Sequence, residues 1–163
     1  MNTNSISFGK PVTAPVLVPV KHQSTPKCIN IPFMVNGGSY KVTAMSFGTP
    51  HGAVFVDDVD NVDVAKIGHA LSTHPLFPKG ASIVFVQMLN KDNKIVRLWQ
   101  RGEGEILCTQ EAACVAGIAA MMLQKTFERG INVLVHRKTF RVQWEGYGGE
   151  VFLSEASEML RPA

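Results

Sequence analysis

Short apolar and alternating segments, separated by turn residues, run through most of the chain. Ile29 to Val35 leads into Asn36-Gly37-Gly38, and beyond it Tyr40, Val42 and Ala44 alternate with polar neighbours within Ser39 to Met45. Asn-Gly supplies the positive φ angles of a tight turn, so the pair reads as a hairpin. Ser82 to Leu89 and Lys94 to Trp99 flank Asn90-Lys91-Asp92-Asn93 as a second hairpin, and Gly52 to Asp57 reads as a buried strand. Ile131 to His136, Phe140 to Trp144 and Val151 to Leu153 complete the set. Ala14 to Val20 mixes Val with Pro, which places it at an edge rather than inside a sheet.

Two segments carry helical signals. Val62 to Leu71 follows Asp60 and Asn61, either of which suits an N-cap, and sets Val64, Ile67, Gly68 and Leu71 along one face. The second helix is expected from Thr109, with Glu111 in its first turn, to about Phe127. Its middle, Ala112 to Leu123, is apolar on every side, so it must be enclosed rather than laid on a surface. One enclosed helix among many antiparallel strands predicts an α+β fold, a sheet wrapped around a central helix.

Composition narrows the class. The 163 residues, 45% hydrophobic and 18% charged, suit one domain over 1–163 that buries roughly 70% of its unfolded surface. Disorder and coiled coil are excluded. Sixteen Lys and Arg against thirteen Asp and Glu give a net charge of +3 without a basic run, so no nucleic-acid partner is expected. Met1 to Val20 lacks the basic start and apolar core of a secretion signal. The longest apolar run, Ala112 to Leu123, falls short of the about 20 residues that span a bilayer. Cys28, Cys108 and Cys114 are odd in number without metal-ligand spacing, and His22, His69, His74 and His136 show none either. The expectation is a cytoplasmic protein with reduced thiols, no membrane contact and no metal.

Three motifs stand in order along the chain. Ser46-Phe47-Gly48-Thr49-Pro50-His51 runs into Val54-Phe55-Val56-Asp57-Asp58, His74-Pro75-Leu76-Phe77-Pro78 follows, and Trp99-Gln100-Arg101-Gly102-Glu103-Gly104-Glu105 leads to Ala113-Cys114. Together they resemble the GNPH, HPxFP…NVxF and WERGxGETxACGTGAC patterns of the C-terminal half of the diaminopimelate epimerase family, from about Phe8 to Leu160. Members of that family have two similar lobes, each a sheet around a central helix, with the active site between them. They epimerise an amino-acid α-carbon without a cofactor, using one cysteine from each lobe as acid and base. The resemblance implies that this chain is the second lobe alone.

At the matching positions most of the family's chemistry is replaced. The catalytic cysteine falls on Thr109, whose hydroxyl offers no thiolate near neutral pH. The glutamate that partners it falls on Gln100, which neither takes nor gives a proton. The Gly and Thr/Ser that hold the substrate carboxylate fall on Gln110 and Glu111, and an ionised Glu111 would repel a carboxylate. The two substrate-binding asparagines fall on Thr49 and Ser82. His51, which in the family pairs with the other lobe's cysteine, and Arg101, which binds substrate carboxylate, are kept.

Each candidate has a structural reading beside the functional one. Thr109 is a favoured N-cap and Glu111 complements the helix dipole, or the two form a proton shuttle facing a cleft. Cys108, one residue before the family's cysteine, is a buried inert thiol or a pocket thiol. Cys114 belongs to the core. His51 is a pocket base or a remnant, and Arg101 binds an anion or pairs with Glu103 or Glu105.

Half of a two-lobed fold exposes the face on which the other half packs, and a two-fold dimer would imitate the full protein. The expectation is an enzyme, as a homodimer, performing cofactor-independent isomerisation, cyclisation or another proton transfer on a small anionic molecule. His51, Thr109 and Glu111 are its catalytic candidates, with Arg101, Gln100, Gln110, Thr49 and Ser82 binding substrate. The alternative is a non-catalytic lobe that binds a partner or complements a separately encoded N-terminal lobe of a split amino-acid epimerase.

Overall fold

The computed structural model describes residues 5–21, 27–90, 93–135 and 138–155. Its strands are β1 (Ile6–Ser7), β2 (Ile31–Val35), β3 (Gly38–Ser46), β4 (Pro50–Val56), β5 (Ser82–Asn90), β6 (Asn93–Gln100), β7 (Gly104–Ile106), β8 (Gly130–Val135), β9 (Lys138–Trp144) and β10 (Val151–Glu155). Two α-helices accompany them among the described residues, α1 (His69–Ser72) and α2 (Gln110–Met122). The strands lie in the order β1-β10-β9-β8-β6-β5-β4-β3-β2, and β7 pairs with one end of β6. Among the described residues only β4–β5 and β6–β8 pair in parallel.

Residues 6–12 join the two sides of this sheet. Phe8 N donates to Val151 O and Val151 N to Gly9 O, both at 2.9 Å, on the β10 side. A few residues on, Val12 and Ser46 exchange two 2.9 Å bonds on the β3 side. The sheet thereby wraps α2, whose residues from Ala112 to Met122 are all buried. Ile118 of α2 sits in one core with Met45, Val84, Val86, Leu98, Ile131, Val133, Val142 and Leu153, contributed by successive strands.

A second core lies on the outer face of β3–β5. Side chains alternate across a strand. Val84 and Val86 thus enter the inner core, while Ile83 and Phe85 meet Phe33, Leu71 and Phe77 outside it. Strands covered on both faces read as continuous apolar runs. The first five residues of both β4 and β5 are buried, whereas β10 alternates buried Val151 and Leu153 with Phe152, 41% exposed.

Several expected boundaries move. Ala14 to Val20 forms a turn rather than an edge strand, because Pro15 and Pro19 withhold ladder donors, yet Val18 and Val20 are buried in the outer core. The helix expected over Val62 to Leu71 is a π-helical turn, Val64–Gly68, running into α1. Its cap is Asp63, which accepts from Lys66 N at 3.1 Å, while Asp58 caps the preceding short turn instead of Asp60 or Asn61. Glycine is required at position 68 for this turn to pack on β6, since a Cβ there would lie 2.6 Å from Trp99 Cβ. α2 ends at Met122 rather than near Phe127, with Gln124 at a φ of 58°. β5 and β6 continue to Asn90 and from Asn93, while Lys91, Asp92, His22 and His136 fall outside the described residues. No helix among the described residues is long and apolar enough to cross a membrane.

Two substitutions test the enclosure of α2. A Cβ at Gly117 would lie 2.8 Å from Val142 Cγ1 and 3.0 Å from Val142 Cβ. Helix propensity favours Gly117→Ala by about 1 kcal/mol, but overpacking costs about 1–3 kcal/mol, so a lower urea midpoint is expected at unchanged m. A raised midpoint would show slack around the helix. Thr109 Oγ1 accepts from Ala112 N at 3.0 Å as the N-cap. Thr109→Ala should therefore cost about 1 kcal/mol in the same titration and Thr109→Asn almost nothing.

Candidate functional site

The beginnings of β4 and β5, the end of β6 and the N-terminus of α2 meet at one end of the wrapped sheet. Parallel register sets His51 of β4 beside Ser82 of β5. The Ser82 hydroxyl, fully buried, accepts from Arg101 N at 3.0 Å and ties the end of β6 to the same place. Ser82 therefore positions the Arg101 backbone, whatever it does for a ligand.

His51 is 2% exposed, and its Nδ1 lies 2.8 Å from Thr49 O. Because that partner is a carbonyl, Nδ1 carries the hydrogen and Nε2 keeps its lone pair. Burial lowers the imidazole pKa below its ordinary 6.5. The hydrogen bond to Thr49 and the charge of Glu111 oppose this, and Arg101 reinforces it. Desolvation is the largest of these influences, and the ring is neutral near pH 7. The same influences place Glu111 and Arg101 within electrostatic reach of His51.

The thiols are not poised as nucleophiles. Burial pushes Cys108 up to about 12, and its Sγ–H donates to Thr109 O at 3.3 Å. Burial first, then the Glu111 charge and the proximity of Cys108, raise Cys114 to about 12 as well. Cys28 rises to about 11 by burial. Cys108 does line a cleft of about 670 Å³ with Leu107, Thr109, Gln110, Lys138 and Phe140, but as a protonated thiol.

The ion pair considered for Arg101 goes elsewhere. Glu105 accepts two bonds from Arg97, Nε to Oε2 at 2.7 Å and Nη2 to Oε1 at 2.8 Å, bracing β6 against β7. Arg97 Nη1 also donates to Val59 O at 2.8 Å. Arg101, exposed, instead donates from Nη1 to Lys79 O at 2.7 Å. Arg101 lines a separate cleft of about 590 Å³ beside Lys79 and Trp99. Gln100 Oε1 is buried without a hydrogen-bond partner among the described residues.

The structure thus gathers His51, Ser82, Arg101 and Glu111, while Thr109, Gln110 and Cys108 open onto the other cleft. Thr49 enters through its backbone carbonyl. Among the described residues no three His, Cys, Asp or Glu side chains gather to hold a metal ion. Arg97, Lys79 and Gly80 were not singled out by the sequence. The sequence carried only Gly102 and Gly104 as a trace of the Arg97–Glu105 pairing; their positive φ values accompany the turn of β6 back onto β7.

Residues 43–158 match the family described as diaminopimelate epimerase. The diaminopimelate epimerase of Leptospira biflexa is 32% identical over 156 residues, 96% of this chain and 55% of that protein. That of Bacillus cereus strain ATCC 14579 is 35% identical over 131 residues, covering 80% and 45%. That of Moorella thermoacetica is 29% identical over 157 residues, covering 96% and 56%. The chain spans about half the length of the curated relatives it matches. A match over most of its length, on a single α+β lobe, makes this chain a member of the diaminopimelate epimerase family, corresponding to the C-terminal half.

Proposed function

We propose that this lobe, paired with a second copy of itself, forms a composite isomerase that moves a proton on a small anionic molecule without a cofactor. The observation that carries the reading is the state of His51: buried, neutral, with Nδ1–H donated to Thr49 O and Nε2 left basic. In this reading Nε2 takes a proton from a carbon beside a carbonyl or carboxylate, and the electron pair of the broken C–H bond stays on the substrate. The imidazolium formed is stabilised by the nearby Glu111 carboxylate and returns the proton at another atom or to the other face. Arg101 holds the anion. Thr109 accepts from Ala112 N and keeps its own O–H hydrogen to donate. The ordinary two-cysteine reaction finds no thiolate here, because Thr109 stands at the family's cysteine position and the burial of Cys108 keeps it protonated.

Self-pairing is supported by Leu107, 68% exposed at the lip of the cleft in front of α2. An apolar side chain there suits burial against a second lobe.

The His51 state has a stability signature. Its folded pKa lies below the 6.5 of the unfolded chain, so the unfolded state binds more protons between the two values. The contribution of His51 is complete above pH 6.5 and is lost as pH falls through that value towards the folded pKa. The urea midpoint should fall over this window, and His51→Gln should flatten that slope. An unchanged slope in the variant would mean that His51 is not held neutral.

Catalysis and pairing are read separately. Light scattering at micromolar concentration should give a dimer; a folded monomer would end the self-pairing proposal. In D2O, NMR should show the chain leaving the α-hydrogen of diaminopimelate unexchanged while exchanging an acidic C–H in some other small carboxylate. His51→Ala should slow that exchange by about 100-fold or more. Exchange that starts only when a relative's N-terminal lobe is added would replace self-pairing by the split-enzyme reading.

A further inference from the structure

β3 and β4 pair over half their length and then separate. Their antiparallel register runs from Ser46 opposite Pro50 to Thr43 opposite Ala53 and stops, although β3 reaches back to Gly38 and β4 on to Val56. Each arm has its own hold. The early part of β3 stays paired with β2, whose Phe33 packs on His74 and Phe77 with ring centroids 4.8 and 5.0 Å apart. Phe55 and Val56 of β4 stay paired with β5. Between the arms lies a cleft of about 570 Å³, lined by residues 39–41 and 54–57 together with Leu123 and Lys125. It stands at the C-terminal end of α2, away from Thr109 and Glu111.

The two arms turn open backbone towards this cleft. Ala44 N donates to Cys28 O and Ser46 N to Val12 O, both at 2.9 Å, so these residues of β3 point away from β4. Backbone direction alternates along a strand, so Thr43, Lys41 and Ser39 point towards β4. By the same alternation Phe55 follows Ala53 in pointing towards β3. Beyond the Thr43 and Ala53 pair, Ser39, Lys41 and Phe55 have no backbone partner across the gap among the described residues. An open strand edge is a template for another strand. The charge is uneven as well, since Lys41 and Lys125 line the cleft against one carboxylate, Asp57. Lys125 Nζ lies 5.0 Å from the centroid of the Phe55 ring, a cation–π contact that keeps the ammonium beside the β4 edge.

We propose that this cleft is a docking site for an extended acidic segment of a partner protein. The segment adds its backbone to the open edges at Lys41 and Phe55, and its carboxylate side chain meets Lys41 and Lys125. At about 3.4 Å per residue, the open stretch takes about three residues. The excess of lysine selects an acidic segment over a basic one. Docking here uses neither His51 nor a second copy of the lobe, so it stands apart from the proton-transfer reading.

The test uses the 15N-labelled chain and the capped peptide acetyl-Thr-Glu-Thr-amide. The peptide should shift the Lys41 and Phe55 amide signals saturably and leave in place the amide of Ala112, which is bonded to Thr109 at the other end of α2. The same peptide N-methylated at its backbone amides cannot pair with a strand edge and should not bind. Replacing its Glu by Gln should weaken binding about tenfold, the loss of one charge-assisted contact, and so should Lys125→Gln in the chain. Undiminished binding of the N-methylated peptide, or no saturable shift in the millimolar range, would overturn the proposal. Glutarate binding as tightly as the peptide would make the cleft a small-anion site and overturn it too. Tighter binding of uncapped Thr-Glu-Thr would point to a free peptide and refute docking of a protein segment.

Discussion

An apolar helix with no polar face has to be enclosed, and the rest of this lobe follows from enclosing α2. A helix wet on one side would expose residues such as Ile118 and Met121, and each large apolar side chain left in water forgoes about 1.5–3 kcal/mol. No single open sheet face can cover every side of a helix, so strands must surround it. The segment at residues 6–12 supplies the last stretch by bonding to β10 and β3 in turn. Enclosure also forces close approach, which is why Gly117 faces Val142 and why Ala is frequent along α2. The N-terminal end of the helix, where Thr109 and Gln110 line a cleft, remains available to a ligand.

Much of this was legible in the sequence because it depends on local pattern. The all-round apolar run of Ala112 to Leu123 predicted enclosure, and the hairpins at Asn36-Gly37 and around Asn90 carried turn residues. The π-helical turn before α1 was not legible. Its apolar spacing looked helical, and the close approach of Gly68 to Trp99, thirty-one positions away, is a contact that local spacing does not reveal. The strand expected over Ala14 to Val20 failed for a related reason: its valines did belong to a core, and its prolines could not belong to a ladder. β1 and β7 are two- and three-residue strands, too short to carry a period of their own.

The candidate site was legible as a set of residues and not as a geometry. Motif positions named His51, Ser82, Arg101 and Glu111, and the fold gathers them through parallel register and the Ser82–Arg101 bond. What each one does depends on partners that spacing does not reveal. Ser82 turned out to accept from a backbone N–H and Thr49 to offer a carbonyl to His51. The sequence left Arg101 with two carboxylate neighbours, and the fold gave Glu105 to Arg97 by folding β7 back along β6.

Glu111 links the stability of α2 to the chemistry in front of it. A carboxylate in the first turn complements the helix dipole and so favours the helix. The same negative charge raises the pKa of Cys114 and of His51, because it disfavours any new anion and favours any new cation nearby. A helix N-terminus normally lowers a thiol's pKa, and here burial and a fixed carboxylate oppose that effect. In the proposed reaction the base is accordingly the imidazole rather than sulfur, and the carboxylate supports its protonated form. Replacing cysteine by threonine at the cap and placing a carboxylate two residues later are therefore consistent changes. Together they favour the helix start, and in the proposed reaction they leave the proton to His51.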